Sequence, residues 1–341
     1  MKIKNITKDV LELIKDQFYA IERNCEKNSE KILKAFVQNK VSEYHFASTT
    51  GYGYSDAGRE VINSIFSQVF GTEHALVSTN FVSGTHALFV ALSAVSRPGD
   101  EIICITGKPY DTLETVINGK NCGSLADMGI KFKILENFGI DKLGKNPKII
   151  YIQRSKGYSF KNSLTIEDIE KLTQKIKSSF PETIIIIDNC YGEFVQTKEP
   201  VLNTDLIIGS LIKNPGGGIA PSGAYIAGKK KYIDLCAQRL TAPGLGQIGN
   251  SYCNREILMG FFYAPVAVRE ALRTAIFTSA LFEILGFKVF PRWNEIRSDI
   301  VQAIKLNNKE NLISFCKEIQ SNSPIDSFIT PEPSKMPGYE N

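Results

Sequence analysis

Four stretches of this chain are apolar without a break: "IICI" at 102–105, "IIYI" at 149–152, "IIII" at 184–187 and "LIIG" at 206–209. A strand with one face in water alternates apolar and polar residues, whereas a strand covered on both faces does not. Runs of four or five are too short for buried helices. Helical patterns separate them, including "GTHALFVALSAVS" and "TIEDIEKLTQKIKSS", where Thr165 stands as N-cap with Asp168 three residues on. A further short strand, "HALVST", follows the helical stretch "VINSIFSQVF". Strands alternating with helices predict an α/β fold: a mostly parallel central sheet flanked by helices.

The flanks differ. Val10, Leu11, Ile14, Phe18 and Ile21 recur at helical spacing, so residues 1–44 are expected to form an N-terminal helical segment. The stretch "EYHFASTTGYGYSDAGR" at 43–59 breaks that pattern and predicts a long irregular loop, a kind that tends to carry function. After about residue 250 the chain turns mostly helical, with Pro265 expected as a kink or a start. The division expected is 1–44, a large α/β domain at 45–245, and a small C-terminal domain at 246–341.

Composition excludes several classes. Lys plus Arg number 40 and Asp plus Glu 36, a surplus too small for nucleic-acid or membrane-surface binding. The seven cysteines form no C-x-x-C pair and the three histidines no ligand spacing, so neither a disulfide framework nor a metal site is expected. Charges run through the first residues where a signal peptide needs an apolar core, and no apolar run is long enough to span a bilayer. These features predict a cytoplasmic protein with a small-molecule partner.

The chemistry gathers where strands end. Asp188 closes "IIIID", and ligands of open α/β sheets bind outside the carboxyl ends of the strands. Lys213 lies 25 residues on, after the next strand run and before three glycines. A lysine that forms a Schiff base and a carboxylate that keeps a pyridine nitrogen protonated are the two demands of pyridoxal 5'-phosphate. The cofactor also needs an anion cradle. Ser83, Gly84, Thr85 and His86 open a helix, whose first amides and positive dipole end face outward. Ser210, three residues before Lys213, can add a hydroxyl, and Tyr110, after "EIICIT", can stack on the ring. The glycines after Lys213 are expected to leave room for backbone beside that ring. Because the lysine precedes them, they make no nucleotide-binding P-loop.

Taken together, "STTGYGYSDAGRE", "SGTHAL", "PYDTLETVI", "QRSKGYS", "IDNCYGEF" and "GSLIKNPGGGIAPSGAYIAG" resemble the aluminium resistance proteins. That group is related to methionine γ-lyase and cystathionine β-lyase within the fold type I pyridoxal-phosphate enzymes. The similarity runs from about His45 onward. It implies that Lys213 carries the cofactor, that Asp188 pairs with its ring nitrogen, and that Gly84, Thr85 and Ser210 hold its phosphate, with His86 beside them. It also implies that Tyr110 stacks on the ring and that Tyr54 and Arg59 cross to the phosphate of a second subunit. The expected assembly is then a homodimer or homotetramer with active sites at the subunit interface. Arg154 is expected near the cofactor face. The activity implied is carbon–sulfur lysis of a sulfur-containing amino acid such as cystathionine, methionine or cysteine, with transfer or racemisation as other outcomes of the same residues. Members of the group continue past "KMPGY" into strands and arginines, one of which binds the substrate carboxylate. The C-terminal domain is therefore expected to be incomplete, and a non-catalytic protein keeping the fold is the alternative reading.

Overall fold

The uninterrupted apolar runs become the middle of one sheet. A computed structural model describes residues 3–136, 138–247 and 251–335, so the chain end at 336–341 lies outside the described residues. In chain order the elements are α1 (Ile3–Leu13), α2 (Lys15–Gln38), α3 (Ala57–Phe70), β1 (His74–Ser78), α4 (Gly84–Val95), β2 (Glu101–Cys104), α5 (Glu114–Asn118), β3 (Lys131–Ile134) and β4 (Ile149–Gln153). They continue with α6 (Ile166–Ser179), β5 (Ile184–Asp188), β6 (Leu206–Ser210), β7 (Ala224–Gly228), α7 (Lys230–Leu240), α8 (Asn254–Ile284), β8 (Lys288–Phe290), β9 (Ala303–Lys305) and α9 (Lys309–Ser321). Thr165 caps α6 in a capping box with Asp168, as the sequence predicts.

Seven strands lie in the order β1-β7-β6-β5-β4-β2-β3. The strands from β3 across to β6 are parallel, while β7 runs antiparallel to both β6 and β1. The reversal has a local cause. Between β6 and β7 the chain makes only a 3₁₀ turn at Asn214–Gly216, with no α-helix to carry it across a face of the sheet and back. The edge strand β3, "KFKI", was not evident in the sequence because its residues are largely exposed. Its lysines suit an edge that must not pair further.

Apolar side chains cover both faces. On one, α4 and α7 pack over Leu76, Ile102, Ile149, Ile186 and Ile208. On the other, α1, α2, α3, α6 and α8 pack over Val77, Ile103, Ile150, Ile185 and Ile207. The packing does not divide at residue 44 or 245. Val10, Ile21 and Ile32 from the N-terminal helices and Phe261 and Ala264 from α8 share one core with the sheet. Pro265 neither starts nor ends a helix but lies inside α8. Beyond α8, β8 and β9 pair with each other as a separate two-stranded sheet. Phe261 is fully buried and stacks on Phe66 with ring centroids 3.8 Å apart. Phe261→Ala is expected to cost about 3–5 kcal/mol, read as a fall in the urea midpoint at unchanged slope.

Two of the glycines after Lys213 serve this packing. A Cβ at Gly217, where φ is +57°, would fall on the carbonyl of Gly260 in α8, and one at Gly216 on the carbonyl of Leu211. Gly216 and Gly217 thus let the backbone after Lys213 lie close against Gly260 of α8.

Candidate active site

Register brings the chemistry together. Gln153 pairs with Asp188 and Asp188 with Ile208, so the carboxyl ends of β4, β5 and β6 stand side by side. Asp188 is buried. Its Oδ2 accepts from the Tyr151 hydroxyl at 3.2 Å and its Oδ1 from the Cys190 amide at 3.1 Å. Burial raises its pKa, and the ammonium of Lys213 opposes that rise. Lys213 follows β6 by three residues and sets Nζ over the ring of Tyr191, 4.3 Å from the centroid. Burial alone would lower the Lys213 pKa. The surrounding Cys190, Tyr191, Asp188 and Glu193 outweigh it and raise the value, so the free side chain is an ammonium ion.

The start of α4 faces the same place. Ser83 is the N-cap, and its Oγ accepts from the His86 amide at 3.1 Å. The amides of Gly84 and Thr85 have no carbonyl within the helix to bond. A Cβ added at Gly84 would stand 3.1 Å from Cβ of Ser210 and 3.7 Å from Sγ of Cys190, so any larger residue would crowd the space. Ser210 Oγ is buried and has no hydrogen-bond partner, which a folded protein rarely tolerates without a ligand. Tyr110 joins from the loop after β2. Its amide donates to Gln153 Oε1 at 3.0 Å. Its hydroxyl is buried beside the Ser155 side chain, and burial first and Asp188 second hold its pKa well up.

Gly84, Thr85, Tyr110, Asp188, Ser210 and Lys213 therefore converge. The other candidates lie apart from them. His86 turns Nδ1 to the Val82 amide at 3.3 Å, tying down the loop before α4. Arg154 is fully buried, with Nη1 donating to Asn189 Oδ1 at 2.7 Å and pairing with Glu199 Oε2 at 3.3 Å, and Nη2 donating to Gln196 Oε1 at 3.3 Å. The guanidinium thus braces the loop after β5 from behind. Arg59 donates through Nη1 to the Gly53 carbonyl at 2.9 Å and meets Glu60 at 2.9 Å, closing the loop at 47–56. Tyr54 projects from that loop, 71% exposed, with its ring 5.6 Å from that of Tyr52. A cleft of about 850 Å³ lies beside the converging residues rather than among them, reaching them at Gln153 and lined also by Phe138, Ser155, Lys156 and Lys171.

Three neighbours were not singled out from sequence. Tyr151 lies on the same face of the sheet as Asp188, a relation fixed by strand register. Cys190 and Tyr191 follow Asp188 by two and three residues, and Tyr191 takes φ +70°, with its ring under Lys213 Nζ. Only their nearness to a strand-end acid could have marked them.

The sequence model of the methionine gamma-lyase family matches residues 3–341. This chain belongs to that family. The protein YnbB of Bacillus subtilis, itself uncharacterized, is 44% identical over 339 residues, 94% of this chain and 80% of its own. A structure from Listeria monocytogenes, provisionally assigned as a cystathionine beta-lyase involved in aluminum resistance, superposes with a TM-score of 0.96 at 42% identity. The match covers 99% of this chain and 87% of that one. A carbon–sulfur lyase involved in aluminum resistance from Clostridium novyi NT gives 0.93 at 42% identity, over 97% of this chain and 82% of that one. The family fold is that of the fold type I pyridoxal-phosphate enzymes.

The residues present fit the cofactor of that fold. A buried hydroxyl without a partner, a glycine pressed against it at a helix start, and a buried acid beside a lysine answer its phosphate, ring nitrogen and aldehyde. Removing one hydrogen bond to a charged group costs about 1.5–3 kcal/mol. Ser210→Ala is accordingly expected to weaken pyridoxal phosphate binding by roughly 10- to 100-fold, measured by absorbance titration.

Proposed function

We propose that this chain is a pyridoxal-phosphate-dependent carbon–sulfur lyase acting on a sulfur-containing amino acid, assembled as a homo-oligomer. The observation that carries the reading is the meeting of Lys213, Asp188 and the unpartnered Ser210 hydroxyl in front of the α4 N-terminus. The names of the relatives support it, since the Clostridium novyi structure is described as a carbon–sulfur lyase.

Gly84, Thr85 and Ser210 would hold the phosphate, Asp188 the ring nitrogen, Tyr110 the ring face and Lys213 the aldehyde carbon. When bound, the cofactor supplies an electron sink that acidifies the α-hydrogen of an amino acid. The chain supplies the rest. Tyr151 and the Cys190 amide fix both oxygens of Asp188, so its charge stays aimed in a site without bulk water to screen it. The Lys213 amine, in its unprotonated form, would serve as general base for the α-proton. The ring of Tyr191 keeps Nζ in place through a cation–π contact. The proton taken up by Lys213 Nζ would then pass to the departing sulfur, which leaves as a thiol. The exposed Tyr54, on a loop that Arg59 closes, would reach the phosphate of a second copy of the chain.

The test offers cystathionine, cysteine and methionine in turn to the cofactor-loaded protein, with thiol and keto acid release followed together. Stoichiometric release of both from at least one supports the proposal. Cofactor binding with no release from any of them contradicts the lyase assignment.

A further inference from the structure

Directly behind Lys213, on the opposite face of the sheet, sits an acid that the proposed chemistry does not use. Glu193 is fully buried. Its Oε1 accepts from the Tyr225 hydroxyl at 3.0 Å, and its Oε2 has no partner. The carboxyl lies flat on β6 because position 209 is glycine: a Cβ there would fall on Glu193 Oε1 and crowd the Tyr225 ring. The backbone is tied to the lysine's own neighbour, since Asn214 Nδ2 donates to the Glu193 carbonyl at 2.8 Å. Tyr225 stands opposite Gly209 in the β6–β7 register and accepts from Asn189 Nδ2 at 3.2 Å. One strand thus separates the carboxyl from the residues around the ammonium.

We propose that Glu193 is a positioning residue for Lys213, its carboxyl held on the back of β6 where gain or loss of one proton is felt by the ammonium on the front. Charged and titratable groups from several segments bear on the charge of Glu193. Glu199 follows on the same loop and repels it, Arg154 at the end of β4 attracts it, Tyr225 on β7 donates to it, and Lys213 and Cys190 lie beyond β6. From α2, Lys31 reaches toward Glu199. Burial first and Glu199 second push the Glu193 pKa up to about 8. Below that pH the group is a neutral acid and needs no partner for a second charged oxygen. Above it a carboxylate appears in a low-dielectric interior and holds the Lys213 proton more tightly. Glu193 therefore sets how readily Lys213 gives up its proton on the alkaline side.

The coupling itself does not depend on the cofactor, although its consequence for catalysis rests on Lys213 being the cofactor lysine. The test accordingly uses cofactor-free protein. Reductive methylation by formaldehyde and cyanoborohydride is followed at the Lys213 peptide by mass spectrometry from about pH 7 to 10.5. Glu193→Gln, isosteric with the neutral acid, is expected to move the Lys213 profile to lower pH, with labelling roughly three- to tenfold faster near pH 9. Tyr225→Phe, which removes the bond favouring the carboxylate, is expected to match it near pH 8.5 but to rejoin the parent protein near pH 10, where Glu193 ionises even so. A purely structural loss would not give profiles that separate and then rejoin. Superimposable Lys213 profiles for parent and Glu193→Gln, with matching circular dichroism, overturn the proposal. Should Glu193→Gln not fold, superimposable profiles for parent and Tyr225→Phe do the same. Failure to take up pyridoxal phosphate, read separately by absorbance, would sink the cofactor reading and leave the coupling standing.

Discussion

Lys213→Ala is expected to abolish thiol release, by at least about 10³-fold, since it removes both the covalent tether and the general base in one change. The variant should still bind pyridoxal phosphate through Gly84, Thr85, Ser210 and Asp188, but reversibly, so that dialysis strips it. The fold should survive. Lys213 contributes an ammonium to a cluster of acids, and its loss leaves Asp188 with its hydrogen bonds from Tyr151 and Cys190 intact. Burial already raises the Asp188 pKa, and without Lys213 it rises further, so the buried acid neutralises itself instead of unfolding the chain. Activity within tenfold of the parent would contradict the role of Lys213.

The second large effect belongs to Asp188. Asp188→Asn keeps the shape and the acceptor for Tyr151 but removes the charge. Turnover should fall by roughly 10²–10³, the scale lost when one preorganised electrostatic partner of a reaction is removed, while cofactor affinity falls much less. That split is diagnostic. A purely structural aspartate would lose binding and turnover together, whereas a partner of the ring nitrogen acts mainly on the barrier. Stopped-flow rates with saturating cofactor, set beside the binding titration, separate the two.

The sequence announced the sheet because burial on both faces leaves a mark that no water-facing strand makes: isoleucine after isoleucine at 149–152 and 184–187. It announced the site because strand ends are where open sheets bind, and Asp188 and Lys213 close neighbouring ones. What stayed hidden depends on contacts between distant segments. The direction of β7 follows from a missing crossover helix, which no local pattern in "AYIAG" records. The packing of Gly217 has no local signal because its partner, Gly260, lies in another helix. Arg154 ends an apolar strand and looked like a ligand-facing cation, yet Glu199, 45 residues on, consumes it from behind. Glu193 was invisible for the same reason. Its significance comes from Gly209 and Tyr225 on the two following strands, and sequence distance conceals that they meet.

The central claim is that one amine, Lys213, binds pyridoxal phosphate covalently. The measurement that tests it directly is borohydride reduction of the protein after incubation with the cofactor, followed by peptide mass spectrometry. The account predicts loss of the yellow absorbance and a single phosphopyridoxyl group on the peptide containing Lys213. Modification spread over surface lysines, or confined to any other lysine, would contradict it.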